Sequence, residues 1–238
     1  MSNVPAFKNV EVKARFSYSE EKYQMTAAQM QDKMQTLALS QDDGDGIVRS
    51  HIKQVDRYFK TGEGEWSKLK IRHERITDVR VSHNPDRPGE VVITWPTPEE
   101  GEKTNCYANI YYRKDASEAR SSYYDKMDLN GCYPVFERCF ILSGALTPLG
   151  SVYKSRTLWL YKNARIHFDV LNEFPNDFFV EVEVVVGKWQ DEGEAKELMA
   201  YILSQLGIEE KDFVSQGYLD LVMLQSQAKE QQQQLQGQ

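Results

Sequence analysis

The chain has 238 residues, 40% of them hydrophobic and 27% charged, which suffices for a real core in one large domain or two small ones. No apolar run approaches the ~20 residues of a membrane span, and no N-terminal segment has the zones of a signal peptide. Cys106, Cys132 and Cys139 are odd in number and lack metal-site spacing, so a reduced, cytoplasmic protein is expected. The formal charge of −7 argues against nucleic acid and membrane surfaces as partners, since both call for a basic excess.

In chain order, Val10–Phe16 alternates with period two and predicts a strand. Thr26 and Gln29 form a capping box, and Ala27, Met30, Met34, Leu37 and Ala38 follow at helical spacing, so a helix is expected to about Ser40. The run Asp42-Asp43-Gly44-Asp45-Gly46 imitates an EF-hand loop, but Ile52 stands where the bidentate Glu belongs, so it reads as an acidic turn. Strands are then predicted at Ile52–Phe59, Lys68–His73, Glu90–Trp95, Cys106–Arg113 and Ser121–Asp128. A short helix is expected near Val135–Leu146, before strands at Ser151–Tyr161, Arg165–Leu171 and Phe179–Val186. A longer helix from Asp191 carries Ala195, Leu198, Met199, Ile202 and Leu206 on one face and ends at Gly207.

Short helical pieces are predicted at Glu209–Ser215 and Leu219–Gln227. Eight of the last fourteen residues are Gln, so a single domain over 1–224 and a disordered tail over 225–238 are expected. Strands outnumber helices, which points to an antiparallel α+β domain.

Residues two apart on a strand share a face. Glu11, Lys13 and Arg15 therefore lie together, as do Lys68, Lys70 and Arg72, Lys154 and Arg156, Arg165, His167 and Asp169, and Glu181 and Glu183. Solvent would explain any one such face in a half-exposed sheet. Taken together they suit a sheet closed into a barrel, apolar positions outward under helices and charges inward. Lys and Arg in such an interior would grip a phosphate-rich anion, and the carboxylates would serve as ligands for Mg²⁺ or Mn²⁺.

These residues resemble the CYTH superfamily, the triphosphate tunnel metalloenzymes that include class IV adenylyl cyclases and thiamine triphosphatases. The similarity runs through Asn9-Val10-Glu11-Val12-Lys13-Ala14-Arg15, Gln54-Val55-Asp56-Arg57-Tyr58-Phe59, Lys68-Leu69-Lys70-Ile71-Arg72 and Tyr111-Tyr112-Arg113-Lys114-Asp115. It continues through Val152-Tyr153-Lys154-Ser155-Arg156, Arg165-Ile166-His167-Phe168-Asp169, Glu181-Val182-Glu183 and Gly217-Tyr218-Leu219-Asp220-Leu221. The class IV cyclase-like branch is the most similar.

The resemblance implies an eight-stranded antiparallel β-barrel with a polar tunnel and helices packed outside. It implies that Glu11, Glu181 and Glu183 hold the divalent ion, with Asn9, where the signature has Glu, as a neutral oxygen ligand. Lys13, Arg15, Lys68, Lys70, Arg72, Arg113, Lys154, Arg156 and Arg165 would bind the phosphates. Lys13, Arg165 and Asp169 would be catalytic, Asp169 by orienting a basic partner or a metal-bound water. The nine bases and four acids of this set balance at +5, against −12 for the rest of the chain. The segment Glu74–Thr104 is longer than the family's usual connection and is expected to reshape the tunnel mouth.

The first expectation is metal-dependent hydrolysis of a terminal phosphoryl group from an organic triphosphate or tripolyphosphate, by a monomer or homodimer. Cyclisation of ATP to cyclic AMP, and a non-catalytic module for phosphorylated ligands or proteins, are the other readings. His167 reads equally as a structural or a catalytic histidine, Tyr218 as a packed aromatic, and Cys132 and Cys139 as small hydrophobes.

Overall fold

The computed structural model describes residues 7–17, 29–37, 47–60, 67–83, 91–94, 102–112, 121–186 and 192–236. Among these residues the order is β1 (Phe7–Ser17), α1 (29–37), β2 (Ile47–Lys60), β3 (Ser67–His83), β4 (Val91–Thr94), β5 (Lys103–Tyr112) and β6 (Ser121–Asp128). Then come α2 (Tyr133–Phe136), β7 (Thr147–Tyr161), β8 (Ala164–Leu171), β9 (Asp177–Val186), α3 (Glu192–Leu206) and α4 (Tyr218–Gln236). The class is α+β, as the sequence predicts.

The strands form one antiparallel sheet in the order β2-β7-β8-β9-β1-β6-β5-β3-β4, and β2 also pairs with β3 from Ile47↔Val81 to Lys60↔Lys68. Eight strands therefore have a neighbour on each side, while β4 pairs only with the last residues of β3.

Alternation along the strands divides apolar from polar. Val10, Ala14 and Phe16 of β1, Trp159 and Tyr161 of β7, Ile166 and Phe168 of β8, and Val180, Val182 and Val184 of β9 form one buried cluster. Met30 and Met34 of α1 and Ala195, Met199, Ile202 and Leu206 of α3 complete it. Fully burying each large apolar side chain contributes about 1.5–3 kcal/mol, so this layer fixes the apolar face of the sheet. The Trp159 indole N–H donates to Gln31 Oε1 at 2.6 Å and ties α1 to β7.

A second cluster of Phe59, Leu69, Ile71, Cys106 and Ala108 lies against Leu129 and Leu146, with Tyr133 and Phe136 of α2 packed on it. A third joins Val152, Leu171, Phe174 and Phe179 to Tyr218, Leu219 and Leu221 in the first turn of α4. Gly150 permits that contact, because a Cβ there would stand 2.9 Å from Leu219 Cδ1.

Several predicted boundaries are corrected. Strand β3 runs on to His83, because β2 pairs with it as far as Val81 and β4 pairs with Arg80–His83, so residues 74–83 of the expected long connection are strand. The helix expected over Val135–Leu146 is the four-residue α2 followed by a π-helical turn, Glu137–Leu142. Glu209–Ser215 contains only the 3₁₀ turn Glu210–Asp212, held by reciprocal bonds between Glu209 and Asp212. Helix α4 continues through the Gln-rich segment to Gln236 where a disordered tail is expected. Gln is a good helix former and neither Gly nor Pro interrupts the run before Gly237, so a helix anchored by Tyr218–Leu221 propagates. Thr26 and the acidic turn at 42–46 lie outside the described residues.

Candidate active site

The polar face is continuous across strand pairs. Lys13 in β1 lies opposite Glu181 in β9, which lies opposite His167 in β8. Asp169 in β8 faces Arg156 in β7, Lys154 in β7 faces Gln54 in β2, and Asp56 in β2 faces Arg72 in β3. Gln54, Asp56, Lys70, Glu74, Asn109, Lys154, Arg156, His167 and Asp169 are all buried. Burying charge is costly unless each group is paired and hydrogen-bonded, so the contacts within this face decide what it can do.

Two aspartates organise the cations. Asp169 accepts 2.6 Å hydrogen bonds from Arg156 Nε and Nη2, a 3.5 Å bond from Lys154 Nζ and a 2.8 Å bond from the Tyr218 hydroxyl. Asp56 accepts from Arg72 Nε at 2.7 Å and Nη2 at 2.8 Å, and from Gln54 Nε2 at 2.9 Å. Burial opposes ionisation of both carboxyls, but Arg156 at Asp169 and Arg72 at Asp56 outweigh it and hold each below the usual carboxylate range. Such two-pronged pairs fix the plane of the guanidinium as well as its charge.

The lysines are held differently. Burial, reinforced by a neighbouring arginine, brings Lys70 (beside Arg72) and Lys154 (beside Arg156) down to about 8. The Lys13 ammonium lies 4.2 Å from the centre of the Tyr218 ring, and that of Lys154 lies 4.6 Å from it. Tyr218 thus brings α4 into the polar face, its ring under two cations and its hydroxyl on Asp169.

Glu11 and Glu181 form the carboxyl pair of the site. Burial and the neighbouring Glu181 charge push the Glu11 carboxyl well above the usual range, although Lys13, 3.8 Å away, opposes this. Glu181 goes the other way: against its burial, Lys13, His167 and Arg156 hold it well below that range. Glu183 lies directly across from Glu11 in the β1–β9 register.

Among the described residues no group of three His, Cys, Asp or Glu side chains could by itself hold a metal ion. The donor set nevertheless fits Mg²⁺ or Mn²⁺, which bind through one or two carboxylates completed by substrate phosphate oxygens and water. The repulsion that raises Glu11 beside Glu181 is one that a bound cation would relieve.

Of the residues expected from sequence, Lys13, Lys70, Arg72, Lys154, Arg156, Asp169 and Glu181 are brought together. Three bases stand apart from that cluster. Arg15 donates to Asp177 at 3.0 Å from Nε, and its guanidinium lies 4.9 Å from the centre of the Phe174 ring. Lys68 is exposed, 3.7 Å from Asp220, and Arg165 is half-exposed, 3.9 Å from Glu183. Arg113 lies outside the described residues, and for Asn9 only the backbone is described, opposite Val185 and Ser122.

Sequence reasoning missed Gln54, Asp56, Glu74 and Tyr107. The Tyr107 hydroxyl donates to Glu74 at 3.1 Å and accepts from Arg72 at 3.3 Å. Asp56 and Glu74 add two acids, while Arg15, Lys68 and Arg165 stand apart and Arg113 lies outside the described residues. The bases Lys13, Lys70, Arg72, Lys154 and Arg156 then meet the acids Glu11, Asp56, Glu74, Asp169, Glu181 and Glu183, so the expected +5 excess gives way to near balance. The available signal was the pair Gln54 and Asp56, two apart in β2.

The family model described as CYTH domain matches residues 8–218. Similar solved structures include a conserved hypothetical protein from Pyrococcus furiosus at 17% identity and TM-score 0.56, covering 90% of this chain and 99% of that one. A protein from Pyrococcus horikoshii shares 17% identity at TM-score 0.56, with 90% and 98% covered. A Vibrio parahaemolyticus structure provisionally described as an adenylate cyclase shares 10% identity at TM-score 0.54, with 90% and 97% covered. At these identities the likeness is one of fold. No curated protein sequence matches the chain.

Proposed function

This chain belongs to the CYTH domain family, and from that premise we propose that it is a divalent-metal-dependent enzyme acting on a triphosphate inside a closed tunnel. The return of strand pairing from β3 to β2 supports the closure. The observation that carries the chemistry is the convergence of Lys13, Lys70, Arg72, Lys154 and Arg156 on one polar face beside the Glu11–Glu181 pair.

The three ammonium groups would bind phosphate oxygens as point charges, and the guanidiniums, held by Asp56 and Asp169, would meet them in fixed orientations. Asp169 acts as a positioning residue: four donors occupy it, and a carboxylate so stabilised is a poor base. Glu11, Glu181 and Glu183 would hold the divalent cation, which when bound draws charge from phosphoryl oxygens. Lys13, beside those carboxyls, would touch the terminal phosphoryl group, and Arg165 with Glu183 would lie at the rim.

In hydrolysis water attacks the terminal phosphorus, a P–O bond to water forms, and the bridging P–O bond breaks to release the diphosphate portion. The buried cations stabilise the charge that accumulates on that leaving group. The fold likeness to the Vibrio protein prompts the cyclase reading, in which the ribose 3′ hydroxyl attacks the α-phosphorus and pyrophosphate leaves. A binding module is favoured by one observation: Asp56 and Asp169 already neutralise Arg72 and Arg156.

Phosphate, pyrophosphate and cyclic AMP released from ATP, thiamine triphosphate and tripolyphosphate, with Mg²⁺ or Mn²⁺, separate the three. Phosphate alone supports the triphosphatase, cyclic AMP with pyrophosphate supports the cyclase, and no turnover of any substrate leaves only the binding module.

A further inference from the structure

Gln54 lies within the polar face with 2% of its surface exposed, and its two polar atoms have unequal fates. The amide nitrogen donates to Asp56 Oδ2 at 2.9 Å. Asp56 is held ionised by Arg72 and can only accept, so the amide cannot turn over. The carbonyl Oε1 is therefore fixed as an acceptor, and it is buried without a hydrogen-bond partner among the described residues. An unsatisfied buried acceptor is disfavoured, and such a group in a binding face discriminates strongly between ligands that can and cannot donate to it.

Ionised phosphate oxygens cannot meet this need, because they only accept. On strands, Gln54 lies directly opposite Lys154 in β7 and Glu74 in β3, two residues along β2 from Asp56, which faces Arg72, so a ligand seated on Lys154 and Arg72 lies beside Gln54. We infer that Gln54 is a specificity-determining residue that accepts a hydrogen bond from an N–H or O–H on the organic group of the substrate. The substrate is then an organic triphosphate and not inorganic tripolyphosphate, which has no organic N–H or O–H and, when ionised, only acceptors. The inference rests on the triphosphate reading above and narrows it.

Calorimetric titration with ATP, thiamine triphosphate and tripolyphosphate, without turnover as a readout, tests it. Wild-type protein is expected to bind at least one organic triphosphate five-fold or more tightly than tripolyphosphate. Gln54→Met, which keeps the length and removes the acceptor, is expected to lower that ratio about tenfold. Equal losses for both ligand types would assign Gln54 only to holding Asp56 and would overturn the inference. So would a wild-type preference below five-fold, an arm that stands even where Gln54→Met does not fold. Tight binding of tripolyphosphate alone overturns this inference and leaves the triphosphate reading intact, whereas no binding of any of the three overturns both.

Discussion

Arg156 and Asp169 face each other across β7 and β8 with two parallel hydrogen bonds of 2.6 Å, both side chains out of solvent. The same carboxylate takes Lys154 and the Tyr218 hydroxyl, so one acidic group coordinates two cations and the start of α4. This is the point at which fold stability and ligand chemistry depend on the same atoms.

Replacing Asp169 by Asn leaves Arg156 and Lys154 buried beside a neutral amide. Breaking a buried pair from one side costs about 3–5 kcal/mol, and urea unfolding should show a loss of that size. Arg156→Met combined with Asp169→Asn should cost less than the sum of the single changes, because the pair acts as a unit. Additive losses would separate the two residues.

Tyr218→Phe keeps the ring beneath Lys13 and Lys154 but removes one donor to Asp169. The expected loss is about 1–2 kcal/mol of unfolding free energy. Tyr218→Ala also empties the space beside Phe179 and should cost about 3–5 kcal/mol. Equal losses would show that the ring contributes nothing beyond its hydroxyl.

Lys70 and Lys154 are held at about 8 in the folded protein, below the ordinary value of 10.5. Between these values the unfolded chain binds more protons than the folded one, so their contribution makes stability rise as pH increases from 8 to 10.5. Affinity for a triphosphate should fall over the same rise, since the two ammonium charges are lost. Opposite slopes for unfolding and for ligand titration are the signature. Parallel slopes would mean that these lysines do not meet the ligand.

Glu11 is held protonated above the ordinary carboxylate range, and its proton must leave before a cation can use that oxygen. Mn²⁺ affinity measured by titration should therefore increase as pH rises from the ordinary carboxylate range and level off above about 8, where Glu11 is ionised. Glu11→Gln should weaken binding and flatten this dependence. An unchanged slope in Glu11→Gln would place the titrating ligand elsewhere.

Period-two alternation made the strands legible, together with the basic faces of β1, β3 and β7. Alternation tells which face a residue occupies but not how far along the sheet it lies. Arg15 stands two residues before the end of β1, while Lys68 and Arg165 are the second residues of β3 and β8. All three share the correct face yet fall at strand ends, where solvent and local acids take them. Asp56 and Gln54 were obscured for a different reason: their neighbours on that face of β2 include Ile52 and Tyr58, so no charged stripe forms. Their role emerges only from register, which sets Asp56 opposite Arg72 and Gln54 opposite Lys154.

If the buried cations of the polar face receive a triphosphate, removing one of their charges must weaken its binding. Calorimetric titration of wild-type protein and Lys70→Met with a non-hydrolysable ATP analogue and Mg²⁺ tests it most directly. Wild-type protein should bind saturably and one-to-one, and a folded Lys70→Met protein at least tenfold more weakly. Binding unchanged by that substitution, or no binding by the wild type at millimolar ligand, would contradict that expectation.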